Sequence, residues 1–180
     1  MRRLSCNPSI EVIGVAVRAF TEHVTVDEMK GLLKKHGLEN IGDDEWYQML
    51  NLLDLLNELT ETSNWSENYV AMGMKRAEVA KMPPEAANMT FGQFLMNWNK
   101  IYQLQHRNGD VGQLQAEKLT DTHFKVTFDI IYPDDFIYGV AYGMARRFLP
   151  NQTKFVIKYD DSVLQMDKGG KETVLDITWN

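Results

Sequence analysis

The hydrophobic period of this chain first changes from helical to two across residues 90–112, TFGQFLMNWNKIYQLQHRNGDVG. Phe91, Phe94, Leu95, Trp98, Ile101 and Tyr102 recur at helical spacing and make one broad aromatic face. Thr90 offers a hydroxyl N-cap. Asn108-Gly109 suits a left-handed residue, which predicts that the helix stops near residues 106–109. Helical periods precede this stretch, and period-two segments with one helical segment among them follow it. Helices segregated from an antiparallel sheet predict an α+β fold.

Upstream, Ser9 is placed to cap a first helix carrying Ile10, Ile13, Val17 and Phe20, although the β-branched content also permits a strand. Thr25 and Glu28 have capping-box spacing before a second helix, which Gly37 ends. Asp43 or Asp44 is expected to cap a long third helix with Trp46, Met49, Leu50, Leu53 and Leu56 on its buried stripe. Leu52, Leu55 and Leu59 widen that stripe and predict cover on two sides. A fourth helix runs from Ser66 to about Met82, where Pro83-Pro84 stops it. Its apolar face is weaker, and Gly73 suggests a neighbour that approaches closely.

Downstream, Phe124, Val126, Phe128 and Ile130 alternate with polar residues and predict a strand in a hairpin with residues 111–119. A helix from Asp134-Asp135 to Leu149 presents Phe136, Ile137, Val140, Ala141, Met144 and Phe148. Gly139 and Gly143 leave one side of it bare, which suits close packing on a sheet. Two strands close the chain, one through Phe155, Ile157 and Tyr159, the other through Thr173, Leu175, Ile177 and Trp179. The expected architecture is one domain over residues 1–180. About five helices in residues 1–108 pack on a four-stranded antiparallel sheet with one helix between the strand pairs, ββαββ, in residues 109–180.

With 180 residues the chain is long enough for one well-buried core. Its 19 basic and 25 acidic residues give a net charge of -6, which argues against nonspecific nucleic-acid binding. Cys6 is the single cysteine, so no intramolecular disulfide and no multi-cysteine metal site can form. The N-terminus lacks an apolar signal core, and no stretch has the length of a membrane span. A cytoplasmic protein is expected.

Chemistry is sparse. His23, His36, His106 and His123 form no HxxxH or HExxH pair, so a metal site has no local support. His106 and Arg107 make the densest polar cluster beside the aromatic helix. They suit a ligand carboxylate, but the local sequence favours a helix cap and a turn. Asp134-Asp135 reads as a cap and dipole pair rather than an acid–base pair. Asp160-Asp161 reads as a turn. Gly169-Gly170 lacks the context of a phosphate loop, no GxSxG elbow is present, and Cys6 is not placed as a nucleophile. A non-enzymatic protein is therefore expected.

Several segments together resemble the haem-nitric-oxide/oxygen-binding (H-NOX) family and its haem-free, 4-vinyl-reductase-type relatives. They are IEVIGVAVRAF, the Trp-bearing helix into LLNELTETSN, FLMNWNKIYQLQ ahead of the sheet, and DDFIYGVAYGMARRF between the strand pairs. In that family a histidine on the central helix ligates haem iron; here Tyr102 stands at that place, with His106 one turn later. A Tyr-x-Ser-x-Arg motif holds the haem propionates; here the region reads Thr127-Phe128-Asp129-Ile130-Ile131, without arginine. Tyr142 and Arg146 keep the outer spacing but lie on a helix without the serine.

The resemblance implies a cavity between helices and sheet lined by Phe94, Trp98, Tyr102, Phe136, Val140 and Met144, each equally a core residue. The sequence thus predicts a sensory domain for a small apolar or amphipathic ligand, with no cofactor and haem disfavoured. One alternative is a haem-binding gas sensor with an atypical axial ligand, in which Tyr102 replaces the histidine. Another is a ligand-free module that binds a protein partner or a second copy through aromatics such as Trp65. A tetrapyrrole-modifying enzyme is the remaining alternative, with no catalytic set to support it.

Overall fold

A computed structural model of the chain describes residues 2–21, 27–62, 66–80, 82 and 88–180. Thr25, His23, Trp65 and Pro83-Pro84 lie outside the described residues. The elements run β1 (Glu11–Ile13), α1 (Gly14–Thr21), α2 (Asp27–Lys35), β2 (Trp46–Gln48), α3 (Met49–Thr62), α4 (Ser66–Val79) and α5 (Phe91–Gln103). They continue with β3 (His106–Arg107), β4 (Leu114–Thr120), β5 (His123–Phe128), α6 (Asp134–Phe148), β6 (Phe155–Tyr159) and β7 (Thr173–Trp179). This is an α+β fold with six helices and two antiparallel sheets among the described residues.

The aromatic helix forms as its sequence predicts. Thr90 accepts from the Gln93 N–H, and the Gln93 side chain accepts from the Thr90 N–H, a complete capping box. Phe91, Phe94, Leu95, Trp98 and Tyr102 are buried. The helix ends earlier than the Asn-Gly signal suggests. His106-Arg107 leaves it to pair with β1, matching Glu11 with Arg107 and Val12 with His106. Asn108 does take a left-handed backbone, φ 67°, but in the turn after β3.

A three-stranded sheet, β2-β1-β3, was not foreseen, and it explains two misplaced caps. Ser9 does not cap a helix; its hydroxyl donates to Asn7 Oδ1 and to the Asn108 carbonyl, and the chain enters β1 before α1. Asp43 and Asp44 do not cap α3, which begins at Met49 after Trp46-Tyr47-Gln48 has paired with β1. Short β-branched and aromatic runs satisfy their backbone groups better in a ladder than as first helical turns. Trp46 is therefore only half-buried, whereas Leu52, Leu53, Leu55, Leu56 and Leu59 are buried, so α3 is covered on two sides.

The second sheet has the order β4-β5-β7-β6, antiparallel throughout. Phe124 faces Ile177 and Val126 faces Leu175 across β5 and β7, all four buried. The α5 N-terminus rests on this sheet, with the Phe91 ring 5.2 Å from that of Trp179. Tyr138 on α6 donates to the Ile157 carbonyl of β6.

The bare side of α6 packs on a helix, not on the sheet. A Cβ on Gly73 of α4 would strike the Phe136 carbonyl and come within 2.9 Å of Gly139 Cα. One on Gly139 would strike the Val70 carbonyl, and one on Gly143 would meet Ala77 Cβ at 2.6 Å. The glycines let α4 and α6 cross backbone to backbone, so the close neighbour of Gly73 is α6. Asp134 does not cap α6 either. Its carboxylate accepts from the Asp167 N–H and the Thr173 hydroxyl, 2.9 Å each, tying the helix start to β7.

Candidate functional site

The α4–α6 pair faces α5 and α1 across a small chamber. Phe94, Trp98 and Tyr102 of α5 and Phe136, Val140 and Met144 of α6 line it, so the structure brings together these six sequence-predicted residues. Phe20, Arg76, Gln105 and Tyr132 also line it, among further aliphatic residues. The chamber measures about 70 Å³. A water molecule takes roughly 30 Å³ of liquid volume, so this is space for two waters or a diatomic gas. It is below the ~300 Å³ at which small-molecule sites begin.

The other two predicted residues lie elsewhere. Arg107 faces outward, its Nε 2.6 Å from Glu11 Oε2 and its guanidinium 4.4 Å above the Trp46 ring. Pairing within the β1–β3 edge has claimed its charge. His106 is buried behind the chamber wall. Its Nδ1 lies 2.8 Å from the Tyr102 carbonyl and its Nε2 lies 3.0 Å from the Tyr132 hydroxyl. A carbonyl only accepts, so Nδ1 carries the proton and Nε2 accepts from Tyr132. Burial pulls the imidazole pKa down to about 4, so the ring is neutral at pH 7.

Tyr102 donates its hydroxyl to the Val111 carbonyl at 2.6 Å. Burial, with Tyr132 beside it, raises this phenol well above its usual range and keeps it protonated. Its ring lines the chamber while its oxygen serves the loop ahead of β4.

Two residues that sequence reasoning missed dominate the polar character of the site. Tyr132 is buried, stacks on Phe20 at 5.7 Å and bonds His106. Arg76 of α4 is 8% exposed, and its Nη1 has no hydrogen-bond partner among the described residues. A signal for Arg76 was present: Tyr69, Met72, Gly73, Arg76 and Ala80 follow helical spacing, which puts the arginine on the buried stripe. Within MKRAEV it reads as one more surface cation.

No protein-family model matches the sequence, and no curated protein matches it. Solved structures do. An oxygen-binding H-NOX domain related to soluble guanylate cyclases, in its oxygen complex, matches with a TM-score of 0.70 at 15% identity, over 93% of this chain and 92% of that one. The chain has an H-NOX-like fold. An H-NOX protein from S. oneidensis in the Fe(II)NO ligation state matches with a TM-score of 0.65 at 14% identity, over 93% and 99% of the two chains. A structure used to modulate heme redox potential through porphyrin distortion matches with a TM-score of 0.65 at 16% identity, over 92% and 96%.

These neighbours correct the expectation of a chain without a cofactor. The solved structures that share this fold are described with heme, with bound oxygen or in an Fe(II)NO state. The side chains suit a haem in kind: a neutral imidazole with a backbone-anchored Nδ1, a tyrosine, and a buried arginine for a carboxylate. The chamber does not suit it in size, because a porphyrin needs the α5 and α6 walls further apart. Among the described residues no three His, Cys, Asp or Glu side chains cluster as a metal site, and no helix is long and apolar enough to cross a membrane.

Proposed function

We propose that this chain is a single sensory domain that would take haem by parting the α5 and α6 walls, with an axial ligand other than a histidine on the central helix. The H-NOX-like fold over 93% of the chain carries the reading. The imidazole of His106 supports it: it is neutral, and its Nδ1–H is fixed on the Tyr102 carbonyl, the arrangement that orients metal-binding histidines. We assign the axial role to His106, since Tyr102 is held as a phenol that already donates to Val111.

When bound, haem iron would supply a coordination position for a small gas. The chain's own residues do the rest. The aromatic walls exclude water, the Tyr102 carbonyl aims the imidazole, and the Tyr132 hydroxyl donates to Nε2. Ligand entry would bias the packing of α5 against α6 and pass from there to a protein partner. That output needs no acid–base or nucleophile set, in keeping with a role other than catalysis.

Titrating the purified protein with hemin tests this. A saturable Soret band at one equivalent, shifted or lost in His106→Ala, is the expected result. No saturable band would overturn the haem reading.

A further inference from the structure

Arg76 is the one guanidinium among the described residues that lines the chamber, and it comes from α4, outside the strand region where the resemblance sought a propionate arginine. It is 8% exposed, and its Nη1 meets no acceptor among the described residues. Around it the wall is aromatic or aliphatic: Phe20, Phe94, Trp98, Phe136 and Val140. The polar groups in that wall are neutral: Tyr132, whose hydroxyl is engaged by His106, Tyr102, whose hydroxyl donates to Val111, and Gln105. Among the described residues no carboxylate lines the chamber.

A buried charge is normally paired, because desolvation is not otherwise offset. Burial lowers the Arg76 pKa, yet a guanidinium stays charged at neutral pH. A cation with a free donor, set in an apolar wall, is what an amphipathic anion requires: a head group to pair and a body to bury.

We propose that Arg76 is the anchor for the carboxylate of an amphipathic ligand whose body would part the α5 and α6 walls, since the chamber of about 70 Å³ is smaller than such a ligand. The two N–H groups of a guanidinium edge match a carboxylate in fork geometry, which a hydroxyl or an ester cannot return with equal strength. A haem propionate and a free aliphatic acid share this chemistry. The assignment stands apart from the haem reading, since either source satisfies Arg76.

The test uses two matched pairs of probes on the whole chain: octanoate against octanol, and hemin against hemin dimethyl ester. Binding is read from the fluorescence of Trp98, which lines the same chamber, with Trp98→Phe as the control for the other tryptophans. The acid of at least one pair is expected to bind about tenfold or more tightly than its neutral partner. Arg76→Met should abolish that preference, and Arg76→Lys should restore part of it. Circular dichroism establishes that each variant is folded, and an unfolded Arg76→Met is replaced by Arg76→Gln. Preference in the hemin pair alone assigns the carboxylate to a propionate; preference in the octanoate pair alone assigns it to a free acid and, without a Soret band, removes haem while keeping Arg76. Equal binding or no binding of acid and neutral partner in both pairs, or a preference that survives in the folded Met or Gln variant, overturns the proposal.

Discussion

The Tyr132 hydroxyl lies 3.0 Å from Nε2 of His106 and fills the one ring nitrogen that the imidazole has left to offer. The other nitrogen is committed to the Tyr102 carbonyl, 2.8 Å away. Tyr132 lines the chamber and His106 does not, so the lone pair reaches the chamber only past this phenol. Tyr132→Phe removes the hydroxyl and keeps the ring that stacks on Phe20. Hemin affinity should rise, by about tenfold if the lost hydrogen bond is worth the usual ~1 kcal/mol or slightly more. Stability should fall by about 1–2 kcal/mol, because a buried acceptor is left unmet. Hemin titration and urea melts of the same variant read both effects.

Tyr102 gives the complementary case. Its hydroxyl donates to Val111 at 2.6 Å, and burial keeps it protonated. Tyr102→Phe should cost about 1–2 kcal/mol through the orphaned carbonyl. The Soret maximum of a hemin complex should stay where it is, while His106→Ala moves or abolishes it. The opposite pattern would transfer the axial role to Tyr102.

The glycines at the α4–α6 crossing predict a stability contrast. Gly73→Ala places a methyl against the Phe136 carbonyl and within 2.7 Å of the Val140 nitrogen, where only backbone can yield. A loss of about 3 kcal/mol, or roughly 6–12 °C in melting temperature, is expected. Gly31, in α2, has nothing within 4 Å of the same added methyl. Gly31→Ala should stabilise by about 0.5–1 kcal/mol through helix propensity. Thermal melts of the two variants should therefore move in opposite directions.

Much of this architecture is legible in residue spacing. The aromatic face of α5, strand β5 and the core face of α6 all follow from periodicity, because each buries a regular stripe. The β2-β1-β3 sheet is not legible, since strands of two or three residues carry no period and exist only by pairing across the chain. The chamber was partly legible. Phe94, Trp98 and Tyr102 announce it, but Tyr132 sits in the turn before α6 and has no stripe to belong to. Arg76 did lie on a stripe, but its charge disguised it as surface. His106 was singled out as a polar group near the helix end. Its burial and its two partners depend on β1 and Tyr132, which spacing cannot bring together.

One buried group and one partly buried group should oppose each other in acid. His106 falls from its ordinary 6.5 to about 4 on burial. Between those values the unfolded chain binds the extra proton, so stability drops as pH falls through that window. Asp167 rises from its ordinary 3.8 to about 6, through burial first and the Asp134 charge second, with Arg2 Nε 3.3 Å away as a partial counterweight. Between 3.8 and 6 the folded chain binds the extra proton, so stability rises as pH falls through nearly the same window. At roughly 1.4 kcal/mol per pH unit each effect is on the order of 3 kcal/mol, and the two nearly cancel. Asp167→Asn keeps an oxygen for the Asp134 N–H and removes the titration. Urea melts from pH 4 to 6.5 should then show a stability that climbs steadily with pH, by about 2–3 kcal/mol more than in the unaltered protein. His106→Gln should tilt the profile the other way, losing stability as pH rises from 4 to 6. A profile that keeps the same slope in both variants would show that neither burial is coupled to folding.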